Sequence, residues 1–202
     1  ALGLVGESGC GKSTLVKSIM GGLDPNGEIT SGLIRYNGTE IQDFSEADFD
    51  RDIRWSDISL IPQASMNSLD PIQTVENKAL EIANAHTDLS DDEAMEKFKE
   101  MVEIVGVQES RLSDYPFEFS GGMQQRIIIA LSLFLEPNLL IADEPTTALD
   151  VIMQDNIFMF LDRIKEELDT SILLVTHDMS VIFESTERMV VTAAPAGPAR
   201  SR

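Results

Sequence analysis

Cys10 is the only cysteine among the 202 residues, so no disulfide can form within the chain. Basic residues are scarce as well: 15 Lys and Arg stand against 35 Asp and Glu, a net charge of −20. That balance excludes binding to nucleic acid over a broad face, because cation–phosphate contacts carry that affinity. No apolar run approaches the roughly 20 residues of a membrane-spanning helix. No secretory signal and no internal repeat is present. The chain opens abruptly in an apolar strand at Ala1, and we expect it to be a fragment.

The acid that is present is spread over residues 46–52, 88–103 and 162–169 rather than held in a tail, as on a solvated surface. An excess of this size with few lysines is expected of a protein adapted to high salt, where self-repulsion is screened. An ordinary acidic surface is the alternative.

The strongest local signal is Gly6-Glu7-Ser8-Gly9-Cys10-Gly11-Lys12-Ser13, which has the G-x-x-x-x-G-K-[ST] spacing of a phosphate-binding loop. Residues 2–5 before it read as a buried strand. Residues 14–20 after it read as a helix closed by Gly21 and Gly22. In that context free N–H groups at the helix start face phosphate oxygens, with the helix dipole behind them. Lys12 is then within reach of β- and γ-phosphates, and the Ser13 hydroxyl can ligate Mg²⁺. The expected nucleotide-binding set from the loop is Gly6, Ser8, Gly9, Cys10, Gly11, Lys12, Ser13 and Thr14. Cys10 sits at a variable position there and reads as a small filler rather than a reactive thiol.

Further along, residues 27–38 read as short strands with an Asn37-Gly38 turn, and residues 43–52 as a loop or short helix. Residues 58–61 form a strand that stops at Pro62-Gln63, followed by a turn-rich loop over residues 64–71. A helical stretch begins near Thr74. Ser90-Asp91-Asp92-Glu93 is a capping box, and Met95, Phe98, Val102 and Val105 recur at helical spacing until Gly106. Residues of about 74–118 therefore read as a helical subdomain inserted into a strand–helix alternation. The alternation resumes with an apolar helix over residues 127–135, a strand over 139–142, a helix over 156–168 and a strand over 172–176. Residues 190–192 begin one more strand, and residues 193–202 read as a disordered Ala/Pro/Arg tail, leaving 1–192 as the folded domain. Apolar strands alternating with helices imply an α/β fold, a parallel sheet with helices on both faces.

A ligand of such a sheet belongs at the carboxyl ends of its strands. Gly6, Gln63, Asp143 with Glu144, and His177 all lie just past strand ends, so they are expected on one edge around one nucleotide. Phosphoryl transfer to water needs a cradle, a metal, a positioned water and charge stabilisation. Asp143 suits Mg²⁺, Glu144 can accept a hydrogen bond from the attacking water, Gln63 can bridge metal and water, and His177 can donate to the γ-phosphate. Ser120-Gly121-Gly122 at a helix start is a second, weaker anion site.

Taken together, these residues resemble the ATP-binding-cassette ATPases, a P-loop NTPase family. Residues 6–13 resemble the Walker A loop, Gln63 the Q-loop glutamine, and Ser120-Gly121-Gly122 the signature. Residues 139–143 resemble Walker B, with Glu144 as the catalytic glutamate, Ala148-Leu149-Asp150 the D-loop, and His177 the switch histidine. Phe119-Ser120-Gly121-Gly122-Met123, Met66-Asn67-Ser68-Leu69-Asp70-Pro71 and Tyr115-Pro116 are similar to the dipeptide/oligopeptide importer branch.

The resemblance implies ATP and Mg²⁺ as ligands, the metal held by Ser13, Gln63 and Asp143. It implies a second ATPase subunit whose signature completes each site in trans, with Asp150 beside the nucleotide. It also implies integral membrane permease subunits docked on the helical insert at the cytoplasmic face of the membrane. From its position after Gln63, the loop over residues 64–71 is expected to line that groove, with Met66 and Leu69 offering apolar contact. The family carries strands and an adenine-stacking aromatic ahead of the loop and further sheet beyond Val191, so truncation at both ends is expected. Two other classes share the ATP motifs: a soluble cassette ATPase acting on nucleic acid, disfavoured by the charge, and a non-catalytic nucleotide-binding regulator, disfavoured by the intact Glu144, Gln63 and His177.

Overall fold

The computed structural model of the chain describes residues 1–63, 68–146, 151–168 and 170–193. Five strands form one parallel sheet: β1 (Leu2–Gly6), β4 (Ile58–Ile61), β5 (Leu139–Asp143), β6 (Ser171–Thr176) and β7 (Arg188–Thr192). Their spatial order is β4-β5-β6-β1-β7. A separate two-stranded ribbon pairs β2 (Arg35–Tyr36) with β3 (Thr39–Glu40). Its turn residues Asn37 and Gly38 both have positive φ, 47° and 83°, the conformation that a two-residue hairpin favours and that Asn-Gly adopts most readily.

The strands are apolar on both faces because both faces are covered. Leu140 and Ala142 of β5, with Ile172 and Leu174 of β6, enter the larger core, whereas Leu139, Ile141, Leu173 and Val175 enter the smaller one. This is the period-2 alternation of a strand with two hydrophobic sides. The smaller core is closed by α1 (Lys12–Ile19) and α2 (Glu46–Asp52), through Val16 and Phe49. The larger core is built around α3 (Val75–His86), α4 (Asp91–Ile104), α5 (Gly121–Leu133) and α6 (Val151–Glu167).

The capping box forms as read: Ser90 Oγ accepts from the Glu93 N–H, and the Glu93 carboxylate accepts from the Ser90 N–H at 2.9 Å. At the far end Gly106 has φ +72°. Its N–H reaches the Glu103 carbonyl while the Val107 N–H reaches that of Val102, the paired bonds of a Schellman stop. Phe98 of α4 meets Phe134 edge-on at 5.4 Å between ring centres, both rings fully buried.

Several boundaries differ from the sequence reading. Helix α1 starts at Lys12 rather than Thr14, while α5 starts at Gly121, as Ser120-Gly121-Gly122 at a helix start leads one to expect, ahead of the apolar stretch from Ile127. The start of α1 lies inside a glycine-rich loop whose composition argues against a helix. Helix α6 starts at Val151, before Asn156, and the short helix α7 (Met179–Ser185) was not anticipated. It has seven residues and only one buried side chain, Ile182, so it carries almost no periodic signal. Leu69 is 9 % exposed and belongs to the larger core. Met66, the sequence Ala148-Leu149-Asp150 and the tail from residue 194 lie outside the described residues.

Candidate functional site

All five strands run the same way, so their carboxyl ends share one edge. Gln63 follows β4, Glu144 follows β5 and His177 follows β6, three neighbouring strands. The loop after β1 lies beside them because β1 pairs with β6.

The loop owes its course to its glycines. Gly9 and Gly11 have φ of 81° and 99°, a region that L side chains rarely enter. A Cβ at Gly6 would collide with the Thr192 carbonyl and with Cys10 Sγ. Cys10 Sγ itself lies 2.9 Å from Thr192 Oγ1, which donates to the Val5 carbonyl, so the loop is tied to β7. Ser8 and Gly9 are exposed at its tip, and Thr14 is exposed on the first turn of α1. Gly11 caps that helix without a side-chain hydrogen bond, leaving first-turn N–H groups for an anion. Lys12 is 5 % exposed. Its ammonium is held inside the loop by the carbonyls of Gly6 (2.7 Å) and Glu7 (3.0 Å).

Asp143, the last residue of β5, is 6 % exposed, and its Oδ1 has no hydrogen-bond partner. Burial pushes its pKa above the ordinary carboxylate value. The Ser13 hydroxyl, hydrogen-bonded to it, pulls the other way; the Glu144 charge adds to the rise and Lys12 opposes it. A buried carboxylate oxygen without a partner, next to a hydroxyl, is a donor set that fits Mg²⁺, which binds through one or two carboxylates plus substrate phosphates rather than a protein cage. When bound with nucleotide, Mg²⁺ supplies charge neutralisation at the phosphate oxygens.

Glu144 has φ +49°, a costly conformation for a side chain of this size. Its N–H is fixed by the Val175 carbonyl at 2.8 Å. Its carboxylate meets Gln63 Nε2 at 3.2 Å through Oε2 and His177 Nδ1 at 3.1 Å through Oε1. The glutamate side chain is 14 % exposed and the histidine 63 %, so the donor reaches in from solvent. A carboxylate aimed by two partners, one residue from a metal-suited aspartate, can take a proton from a water molecule.

Ser120 caps α5, its Oγ accepting from the Met123 N–H at 3.4 Å. Ser120 and Gly121 are exposed and Gly122 is buried. The structure thus brings together Gln63, Asp143, Glu144, His177 and the loop, and holds Ser120, Gly121 and Gly122 at the head of another element. Asp150 is among the residues not described. One residue went unnoticed in the sequence. Gln125 is 2 % exposed, and its Nε2 donates to the Pro145 carbonyl at 2.7 Å. Spacing along the chain gives little signal for it, since Gln125 stands between two other polar residues, Gln124 and Arg126.

The sequence model of the family described as "ABC transporter" matches residues 1–147. The chain is 42 % identical over 194 residues to the dipeptide transport ATP-binding protein of Bacillus subtilis, covering 95 % of this chain and 58 % of that protein. It is 42 % identical over 195 residues to the oligopeptide transport ATP-binding protein of Escherichia coli, covering 96 % and 57 %. The chain thus spans less than two thirds of the length of these relatives. Among solved structures it is similar to a dimeric form of MJ0796, a bacterial ABC transporter cassette, with a TM-score of 0.80 and 27 % identity over 96 % of this chain and 81 % of that one. A post-hydrolysis state of the same cassette bound to ADP and Pi superposes with a TM-score of 0.80 at 26 % identity, covering 96 % of this chain and 83 % of that one.

Proposed function

The chain belongs to the ABC transporter family, and from that premise we propose that it is the ATP-binding and ATP-hydrolysing part of an importer for dipeptides or oligopeptides. The observation that carries this reading is the carboxylate of Glu144, aimed by Gln63 and His177 one residue from the buried Asp143 and on the same sheet edge as the phosphate loop. For the reaction the loop and Lys12 would hold the phosphates, and Ser13 and Asp143, with Gln63, would hold Mg²⁺. Glu144 accepts the proton of the attacking water, and His177, in contact with that carboxylate, would donate to the γ-phosphate. Ser120, Gly121, Gly122 and Asp150 act across a dimer, on the nucleotide of a second ATPase subunit. The peptide assignment is supported by the relatives named above, which are described as peptide transporters.

Permease subunits dock where residues of about 74–118 meet the sheet. A cavity of about 420 Å³ there is lined by Trp55, Pro62, Leu69, Ile82, Ile128 and Leu131, between the edge strand β4 and helices α3 and α5. Docking would hold the protein at the inner face of the membrane. No helix among the described residues is long and apolar enough to cross it. The net charge of −20 reflects adaptation to high salt.

The decisive experiment reconstitutes the full-length protein with its membrane subunits in vesicles. Peptide uptake that requires ATP and stops with Glu144→Gln is expected. Uptake independent of ATP would overturn the reading, and uptake of a different solute only would overturn the peptide assignment.

A further inference from the structure

Glu144 stands at a left-handed backbone position, and a strained φ of this kind persists only when its surroundings over-determine it. On its amino side the peptide is held by the Val175 carbonyl. On its carboxyl side the next carbonyl, that of the buried Pro145, is held by Gln125 Nε2 at 2.7 Å. The following carbonyl, that of Thr146, accepts a longer bond of 3.4 Å from Gln154 Nε2 of α6.

Gln125 lies in the second turn of α5, the helix that begins at Gly121 and is capped by Ser120. The neighbours of Gln125 bind the same helix to its surroundings on other sides. Gln124 Nε2 donates to the carbonyls of Pro116 and Phe119, and the Arg126 guanidinium lies over the Phe160 ring of α6 at 5.0 Å. Ile127, Ile128, Ile129 and Ala130 beyond them are buried. The helix is therefore tied to its surroundings on several sides, and Gln125 makes a direct hydrogen bond between it and the turn that carries Glu144.

We propose that Gln125 is a positioning residue for Glu144: it fixes the Pro145 peptide, and through it the direction of the Glu144 carboxylate, to the helix that presents Ser120, Gly121 and Gly122. A displacement of that helix tip is then conveyed to the glutamate of the same chain. In a dimer with sites completed in trans, this links the site that a chain's signature covers to the site that its own glutamate serves. The inference rests on the hydrolytic reading of Glu144.

The test uses the full-length protein with its membrane subunits and compares wild type, Gln125→Met and Glu144→Gln. Methionine keeps the volume and removes the donor. Because a small misplacement of a reacting group is costly, kcat for ATP hydrolysis is expected to fall about tenfold or more. KM for ATP and the affinity for a fluorescent ATP analogue should stay within about twofold, a split that general destabilisation would not produce. Should Gln125→Met lose nucleotide binding through misfolding, Gln125→Asn, one methylene too short to reach the carbonyl, is expected to give the same split. Turnover within about twofold of wild type in the folded variant overturns the inference. A wild type that hydrolyses ATP no faster than Glu144→Gln overturns the hydrolytic reading itself, and the role of Gln125 with it.

Discussion

His177 Nδ1 lies 3.1 Å from Glu144 Oε1, across 33 residues of sequence. The contact exists because β6 pairs with β5 in parallel, so the residues that follow the two strands emerge side by side. With Gln63 on the other carboxylate oxygen, the glutamate is held from both flanking strands.

Removing that carboxylate's basicity should separate binding from chemistry. Glu144→Gln in the full-length protein is expected to bind ATP as wild type does and to lose hydrolysis by about a hundredfold or more, the usual worth of a positioned base. Nucleotide binding by fluorescence and phosphate release, measured together, check this. Ordinary turnover would mean that another group positions the water.

Asp143 makes a prediction about stability. Burial raises its pKa, so the folded chain keeps this proton to higher pH than the unfolded chain does. In acid both forms are protonated and the group has no effect. As pH rises through the ordinary carboxylate value, the unfolded chain ionises first and stability falls, until the folded group ionises too; above that window the deficit is constant. In protein free of metal and nucleotide, Asp143→Asn should therefore melt higher than wild type near about pH 7, with the gain shrinking below about pH 4. The same variant should lose Mg²⁺-dependent hydrolysis. Melting curves across pH decide it: a gain that is independent of pH removes titration as the cause.

The cavity proposed to receive the permease subunits can be filled from its rim. Ser68 is exposed and lines it, so Ser68→Trp is expected to abolish capture by the permease subunits. ATPase activity of the free protein should stay within about twofold. Leu69 is unsuited to this test, since it is buried in the larger core and even Leu69→Ala should cost about 2–5 kcal/mol. A pull-down in which Ser68→Trp still binds places the docking surface elsewhere.

A net charge of −20 predicts a response to salt. Screening shortens the Debye length to about 3 Å at 1 M, so the melting temperature should rise from low salt to molar KCl. An unchanged or lower value would argue for an ordinary acidic surface.

The phosphate loop was legible because its chemistry demands fixed residue types at fixed spacing along one stretch of chain, and Gly9 and Gly11 adopt the positive φ that only glycine takes easily. The apolar strands were legible for a similar reason, since both faces of the sheet are covered. The helix start at Lys12 was not, because a glycine-rich phosphate loop carries low helix propensity, and tertiary packing overrides it.

What the sequence by itself determined is therefore local: a loop that wraps phosphate, a capping box at Ser90 with a glycine stop at Gly106, and a set of polar residues after apolar strands. Those residues were expected on one sheet edge; what only the tertiary structure decided is which of them touch directly. The strand order β4-β5-β6-β1-β7 places Gln63 and His177 on either side of Glu144, and the packing of α5 brings the amide of Gln125 to the Pro145 carbonyl. Neither contact leaves a trace in spacing along the chain, because each depends on the pairing of elements far apart in sequence, and hydrogen bonds between them form only once burial has brought those elements together.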